Sequence, residues 1–439
     1  MERTIESVAV IGAGTMGSGI AAVNAIAGKP VLLLDLNADF AHKALERLTS
    51  GRNPVIPDKE IAARITTGAI DDHLEALGSV DWICEVIIED LAAKRNLISK
   101  LEKVRKPGSI YSSNTSGIMI KDMTEDFSDA LNQDIAVTHF FNPVHIMKLV
   151  ELVPGEKTDP DVISALATHL GKTLKKGVVY AKDTPNFIGN RIGCLWLLIG
   201  LQLAEQALAE GVSMEKIDAL LSKPIGLPPT GLFGLMDLVG IDVIGLVGVN
   251  LKETLPADDA CQPYVDVPAE VQTMIQRGQI GRKAGAGFYK VNIKEDGSKE
   301  KLIYDLPTKA WRPVETVSLS EAESAYKTLM TANTPEGRFV WKLMSETLAY
   351  TASLIPEIAD DIVNVDRAMR WGYNWAKGPF ELIDELGAQA FAEQLKTEGR
   401  PIPKMVSILL DSGASSFYQN DGGEYLGLDG QFHPVPADS

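Results

Sequence analysis

Cysteine is scarce in this chain. Its 439 residues hold three, Cys84, Cys194 and Cys261, at separations that match no metal-binding or redox motif, so a reducing compartment fits best. No metal centre is expected. Positive charge is the second shortage: 42 basic residues face 59 acidic ones, a formal net charge of −17. Such a surface repels phosphate backbones, which argues against nucleic acid or an anionic membrane as a partner. An anionic ligand would have to be held by local donors, such as helix N-termini or a few placed lysines. Long apolar runs are missing too. The most apolar stretch, residues 192–204, is too short to span a bilayer and follows Arg191 directly. The chain enters a strand pattern at once, with no secretory-leader pattern. The expectation is a soluble, cytoplasmic protein without membrane insertion.

What is present points to an ordinary globular chain. Hydrophobic residues make up 45% of it, enough for normal cores, and the length implies two or three domains. Residues 7–11 (SVAVI) read as a short apolar strand running into Gly12-Ala13-Gly14-Thr15-Met16-Gly17. A helical pattern follows, then a second strand at residues 30–34 that is ended by Asp35. A GxGxxG match alone is weak, but between a strand and a helix each part has a task. Gly12 permits the tight turn, Gly14 lets the backbone approach a pyrophosphate, Gly17 lets helix and strand pack closely, and the helix start at Thr15 and Met16 receives the phosphates. Asp35 would accept hydrogen bonds from ribose hydroxyls and repel a 2′-phosphate, which favours NAD over NADP. The competing reading is a glycine turn that binds nothing.

A buried strand at residues 82–88 leads to Glu89-Asp90, with Lys94 in the first turn of the next helix. Ligands of open α/β sheets sit outside the carboxyl ends of the strands, so Glu89 and Lys94 are either near the cofactor or merely a capping acid and a solvated lysine. A strand at residues 109–113 ends in Asn114-Thr115-Ser116-Gly117, which suits either a ligand-facing loop or a plain turn. Residues 135–153 (IAVTHFFNPVHIMKLVELV) place His139 at the end of an apolar run, a break at Asn142-Pro143, and Glu151 within a second run. Two strands joined by a tight loop would set Glu151 beside His139, and a carboxylate that orients an imidazole makes a general base. A hydrogen-bonded structural histidine and a water-facing glutamate are the alternative. The glycine turn, Glu89, residues 114–116 and His139 would all fall along one edge of a sheet.

From about residue 183 the pattern becomes helical. Asn190-Arg191 opens an apolar helix reaching residue 209, and Asn190 faces either the active-site edge or a domain junction. A glycine-rich hinge at residues 281–289 carries Lys283. Residues 291–333 are charged and weakly periodic, and read as a connector. Residues 231–237 (GLFGLMD) and 378–384 (GPFELID) align at an offset of 147, which also pairs Asn190-Arg191 with Gly337-Arg338, so a duplicated helical domain is inferred. The expected organisation is α/β: a Rossmann-like dinucleotide-binding domain (1–182) followed by two repeated all-helical domains (183–290 and 334–420), the connector between them, and a turn-rich tail (421–439) that forms a surface hairpin or a linker.

With GAGTMG, SNTSG, THFFNPV, MKLVELV, KDTPNFIGNR and GRKAGAGFYK in this order, the chain resembles the 3-hydroxyacyl-CoA dehydrogenase family. The duplicated helical part further resembles the dehydrogenase portion of bifunctional hydroxyacyl-CoA dehydrogenase/enoyl-CoA hydratase proteins of fatty-acid β-oxidation. The resemblance implies NAD-dependent oxidation of an acyl-CoA substrate, with His139 as base and Glu151 as its partner. It implies that Ser116 and Asn190 contact the substrate, with Asn142 beside the histidine. It also implies an NAD site of Asp35, Glu89, Lys94 and Asn114, reached by Lys283 from the hinge. The resemblance is compatible with a monomer whose repeat replaces a dimer interface or with a homodimer, and with either a stand-alone enzyme or one fused to or associated with a hydratase domain, which no segment of this sequence resembles. Two departures stand out: His145 occupies a position where relatives often carry proline, and the usual GPFEL form occurs at residues 378–382 rather than in the first copy. The rival readings are a non-catalytic NAD-binding scaffold and a dehydrogenase of a free hydroxy acid.

Overall fold

The computed structural model describes residues 3–438 and divides into two compact units. The first comprises the chain to Ile188 together with Glu357–Asp360 and the end from Pro436; the second comprises Gly189–Pro356 and Asp361–Val435.

The first unit is built on eight strands: β1 (Val8–Ile11), β2 (Val31–Asp35), β3 (Ile65–Ala69), β4 (Trp82–Glu85), β5 (Ile110–Ser113), β6 (Ile135–Phe140), β7 (Leu149–Pro154) and β8 (Gly177–Tyr180). They lie in the order β3-β2-β1-β4-β5-β6-β7-β8. Neighbours are parallel except β6 and β7, which are antiparallel. Continuous apolar runs such as VAVI and WICE suit strands covered on both faces, and β1, β4, β5 and β6 are buried throughout. Helix α1 (Thr15–Ile26) packs Ile20, Ala21 and Ala25 into a core shared with Val10, Leu33 and Trp82. After β1 the chain builds outward to β2 and β3, then returns to start β4 on the other side of β1. This reversal opens a crevice at the carboxyl ends of β1 and β4, the place where such sheets bind ligands. One boundary differs from expectation: β4 ends at Glu85, three residues before Ile88. The Glu85 carboxylate accepts the Ile87 N–H at 2.8 Å, which turns the chain out of the strand, so Glu89 sits in the following loop.

The second unit is one compact body and is not all-helical. It carries a three-stranded antiparallel sheet of β9 (Tyr289–Ile293), β10 (Lys299–Asp305) and β11 (Ala310–Pro313), and a smaller one of β12 (Tyr418–Gln419), β13 (Glu424–Leu426) and β14 (Phe432–Pro434). Most of the expected connector is therefore regular structure: β9 to β11, then the helices Glu321–Ser324 and Tyr326–Thr331. Its hairpin turn is formed by Asp296, whose carboxylate accepts the Ser298 N–H at 2.9 Å, and by Gly297 at φ +79°. The two segments that align in sequence share a corner. Asp237 accepts the N–H groups of Phe288 and Tyr289, both at 2.7 Å, and Asp384 accepts those of Phe417 and Tyr418 at 2.7 and 3.0 Å. In the first corner the Tyr289 hydroxyl donates to Asp218; in the second the Tyr418 hydroxyl donates to Asp366. The apolar helix runs over Gly189–Ala209, 21 residues. By length and composition it is long enough to cross a membrane, which the apolar run alone did not indicate, and 67% of its apolar window is buried inside the protein.

Candidate active site

The antiparallel pairing of β6 and β7 sets His139 directly opposite Glu151, so both side chains leave the same face of the sheet. The imidazole Nδ1 lies 2.6 Å from Glu151 Oε2. Both groups are buried, Glu151 completely. The other carboxylate oxygen accepts the Ile188 N–H at 3.0 Å. To present that N–H, Asn186 and Phe187 adopt left-handed backbone conformations at φ +61° and +51°, an uncommon state for residues other than glycine and one often found at functional sites. The Phe187 and Phe141 rings flank the imidazole, with centroids 5.8 and 4.6 Å away. A carboxylate on Nδ1 holds the proton there and leaves Nε2 as the basic nitrogen.

Asn142 is exposed and precedes Pro143 through a cis peptide bond. The loop it opens, which also carries the exposed His145, is held from below by Lys176. This buried lysine donates to the carbonyl oxygens of Val144 and, at 2.8 Å, Met147. Burial pushes its ammonium pKa down to about 8.

A connected polar network runs along the ends of β4, β5 and β6. Lys94 is buried rather than solvated, its ammonium 2.8 Å from Glu85 and 3.3 Å from Glu89. Glu85 also accepts the Ser113 hydroxyl at 2.7 Å. Glu89 accepts the Thr115 hydroxyl at 2.6 Å and the Ser116 N–H at 2.8 Å. Asn114 accepts the Phe140 N–H at 2.9 Å and so joins this loop to the residue after His139. Glu85 was not singled out in the sequence, and Thr115 only as part of the 114–116 loop. The signal for Glu85 was available: a carboxylate closing an otherwise apolar strand, WICE, needs a buried partner.

The glycine turn fits a dinucleotide. Gly12 has φ +108°, and a Cβ there would lie 2.3 Å from the Val86 carbonyl oxygen; a Cβ on Gly17 would lie 1.8 Å from the Gly12 carbonyl oxygen. Internal packing therefore demands both glycines. Gly14 differs: beyond its own chain neighbours no described atom lies within 4 Å of where its Cβ would be, so its backbone is open to the close approach of a phosphate. Helix α1 starts there with no side-chain cap and no acidic residue in its first turn, and Thr15 is exposed. Its N-terminal N–H groups are thus presented to an anion. Asp35 ends β2 and accepts the Ala13 and Leu36 N–H groups at 2.6 and 2.7 Å, which fixes its carboxylate beside the turn.

The remaining two predicted residues belong to the second unit. Asn190 is the second residue of Gly189–Ala209, and its side-chain oxygen Oδ1 accepts the Tyr373 hydroxyl at 3.2 Å. Lys283 is exposed and pairs with Asp242 at 2.7 Å. Tyr373 was missed, since a tyrosine after an amphipathic helix carries no local sequence signal.

Comparison with known proteins matches most of the first unit and the first part of the second. Residues 7–184 match the family model described as 3-hydroxyacyl-CoA dehydrogenase, NAD binding domain, and residues 187–291 match 3-hydroxyacyl-CoA dehydrogenase, C-terminal domain. A probable 3-hydroxyacyl-CoA dehydrogenase of Bacillus subtilis is 36% identical over 99% of this chain, which spans only 58% of that protein's length. A probable 3-hydroxyacyl-CoA dehydrogenase of Deinococcus radiodurans is 38% identical over 65% of this chain and 83% of its own. Among solved structures, 3-hydroxybutyryl-CoA dehydrogenase from Escherichia coli superposes with a TM-score of 0.72 at 26% identity, covering 93% of this chain and 99% of that one.

Proposed function

The chain belongs to the 3-hydroxyacyl-CoA dehydrogenase family, and on that premise we propose that it oxidises (S)-3-hydroxyacyl-CoA thioesters to 3-oxoacyl-CoA in fatty-acid β-oxidation. The observation that carries this reading is the buried His139–Glu151 pair at the carboxyl edge of a dinucleotide-type sheet. When bound in the cradle of Gly12, Gly14, Thr15, Met16, Gly17 and Asp35, NAD supplies the acceptor for the hydride that leaves C3. His139 takes the proton of the 3-hydroxyl at Nε2. Glu151 keeps the other ring proton in place and offsets the charge that develops on the imidazole. The Ser116 hydroxyl, the Asn190 amide and Asn142 orient the acyl group. Lys94 acts through Glu89, holding that carboxylate and the 114–116 loop ready for the cofactor, and Lys283 approaches the cofactor from the hinge.

We further propose that the second unit is a duplication in which only the first copy kept the substrate asparagine, the second having Gly337 there. Fusion to or association with an enoyl-CoA hydratase accords with the greater length of the Bacillus relative. Three buried, unpaired cysteines suit a cytoplasmic protein. The test is the loss of NADH absorbance on adding acetoacetyl-CoA. Wild-type protein should consume NADH, and His139→Gln should keep NAD affinity while turnover falls at least about 100-fold. No NADH consumption would leave an NAD-binding scaffold, and activity on free acetoacetate alone would leave a hydroxy-acid enzyme. Near-normal turnover of His139→Gln would remove the histidine from the mechanism.

A further inference from the structure

Asn190 is held by a residue from the other half of the second unit. Positions three and four beyond it on the helix Gly189–Ala209 share its face; these are Gly193 and Cys194. Tyr373 follows the helix Ile362–Gly372 and lies against that face. Its hydroxyl is 3.2 Å from Asn190 Oδ1 and 3.5 Å from Cys194 Sγ. Its ring covers Gly193 so closely that a Cβ there would fall 2.1 Å from Cζ. The glycine therefore makes room for the tyrosine. The turn that carries Tyr373 is fixed on its far side: Ala376 N–H donates to the Gly226 carbonyl at 2.7 Å, and the Trp375 ring meets Trp196 edge-on at 6.2 Å.

The geometry assigns Tyr373 as a positioning residue for Asn190, holding the amide by its oxygen so that its NH2 is presented to the substrate oxygen. An amide has nearly isosteric ends, one accepting and one donating, and its neighbours decide which end points where. Here two donors converge on the oxygen: the Tyr373 hydroxyl, and the Cys194 thiol at 3.8 Å. A thiol is protonated at neutral pH, and burial pushes the Cys194 thiol pKa further up, to about 11. With its oxygen engaged, Asn190 offers only N–H groups elsewhere, which suits a carbonyl or alkoxide and disfavours the reverse orientation. The second copy, which carries glycine where the first has this asparagine, thus contributes to the first copy's chemistry. The assignment rests on Asn190 being a substrate contact.

Tyr373→Phe deletes the hydroxyl and keeps the ring over Gly193. Loss of one such hydrogen bond corresponds to about a two- to tenfold effect, expected here in kcat with acetoacetyl-CoA, with KM for NADH and the melting midpoint unchanged. In an Asn190→Ala background the same substitution should have no further effect. If Asn190→Ala is slow but Tyr373→Phe turns over normally, or slows the enzyme equally in both backgrounds, the assignment is overturned. If Asn190→Ala itself turns over normally, the substrate role of Asn190 fails and takes this assignment with it.

Discussion

Glu151 accepts on both of its oxygens, from His139 Nδ1–H on one and from Ile188 N–H on the other. A glutamine of the same size can accept from only one of them. If its oxygen stays with Ile188, its NH2 faces Nδ1, and the ring must move its proton to Nε2, the nitrogen needed as base. Glu151→Gln should therefore lower kcat by about 100-fold or more, shift or abolish the pH–rate profile, and leave NAD affinity near wild type. Stopped-flow turnover across pH, with NAD binding by fluorescence, checks this; an unchanged profile would remove Glu151 from the mechanism. The pair was legible in the sequence because a strand break at Asn142-Pro143 between two apolar runs implies a return strand. Ile188 was not legible. Its contribution is a backbone N–H, which no side-chain identity encodes, and the left-handed residues that aim it are an asparagine and a phenylalanine rather than glycines.

Between elements, the tie that binds α1 to the sheet is also a pH sensor for stability. His169, in the π-helical turn after the helix Pro160–Thr168, places its Nε2 2.8 Å from the side-chain oxygen Oδ1 of Asn24 and packs edge-on against Trp82 of β4. Burial, with Lys29 nearby, pushes its pKa down to about 4 from 6.5. A depressed histidine pKa means that the unfolded chain binds the proton first. Stability from this site is complete above pH 6.5, falls as pH drops through the window, and is lost below about pH 4. The largest loss is about 3 kcal/mol. His169→Gln should flatten that part of the denaturation midpoint against pH; the same acid slope in the variant would place its origin elsewhere. At this scale long elements were legible and short ones were not. The helix Gly189–Ala209 and the strands about the glycine turn announce themselves by sustained apolar pattern. The β9–β10 hairpin did not, because β9 is mostly exposed and only Leu302, Ile303 and Tyr304 anchor β10, too few to impose a period on a charged stretch.

At the scale of the whole second unit, the two sequence-matched halves answer each other's exposed surfaces. The helix Gly189–Ala209 has an apolar face too broad for one short helical domain to cover. The helix Pro335–Ser353 of the other half packs along it in the opposite direction. Arg191 donates to the Tyr350 hydroxyl at 2.7 Å near one end, and Arg338 reaches Glu210 at 2.7 Å near the other. The matching Asp237 and Asp384 corners close each half in the same way, each carboxylate taking a pair of aromatic backbone N–H groups that would otherwise be buried without partners. A half standing alone would need a second copy to cover that helix, as two-fold symmetric oligomers do; here the covering half lies in the same chain. The chain should therefore be monomeric at micromolar concentration, with light scattering giving a mass near its 47.4 kDa. Truncation before residue 334 should expose the apolar face and give dimers or aggregates. A full-length protein at twice the monomer mass would show that the internal pairing leaves another face in need of cover, and that the duplication does not replace a dimer contact.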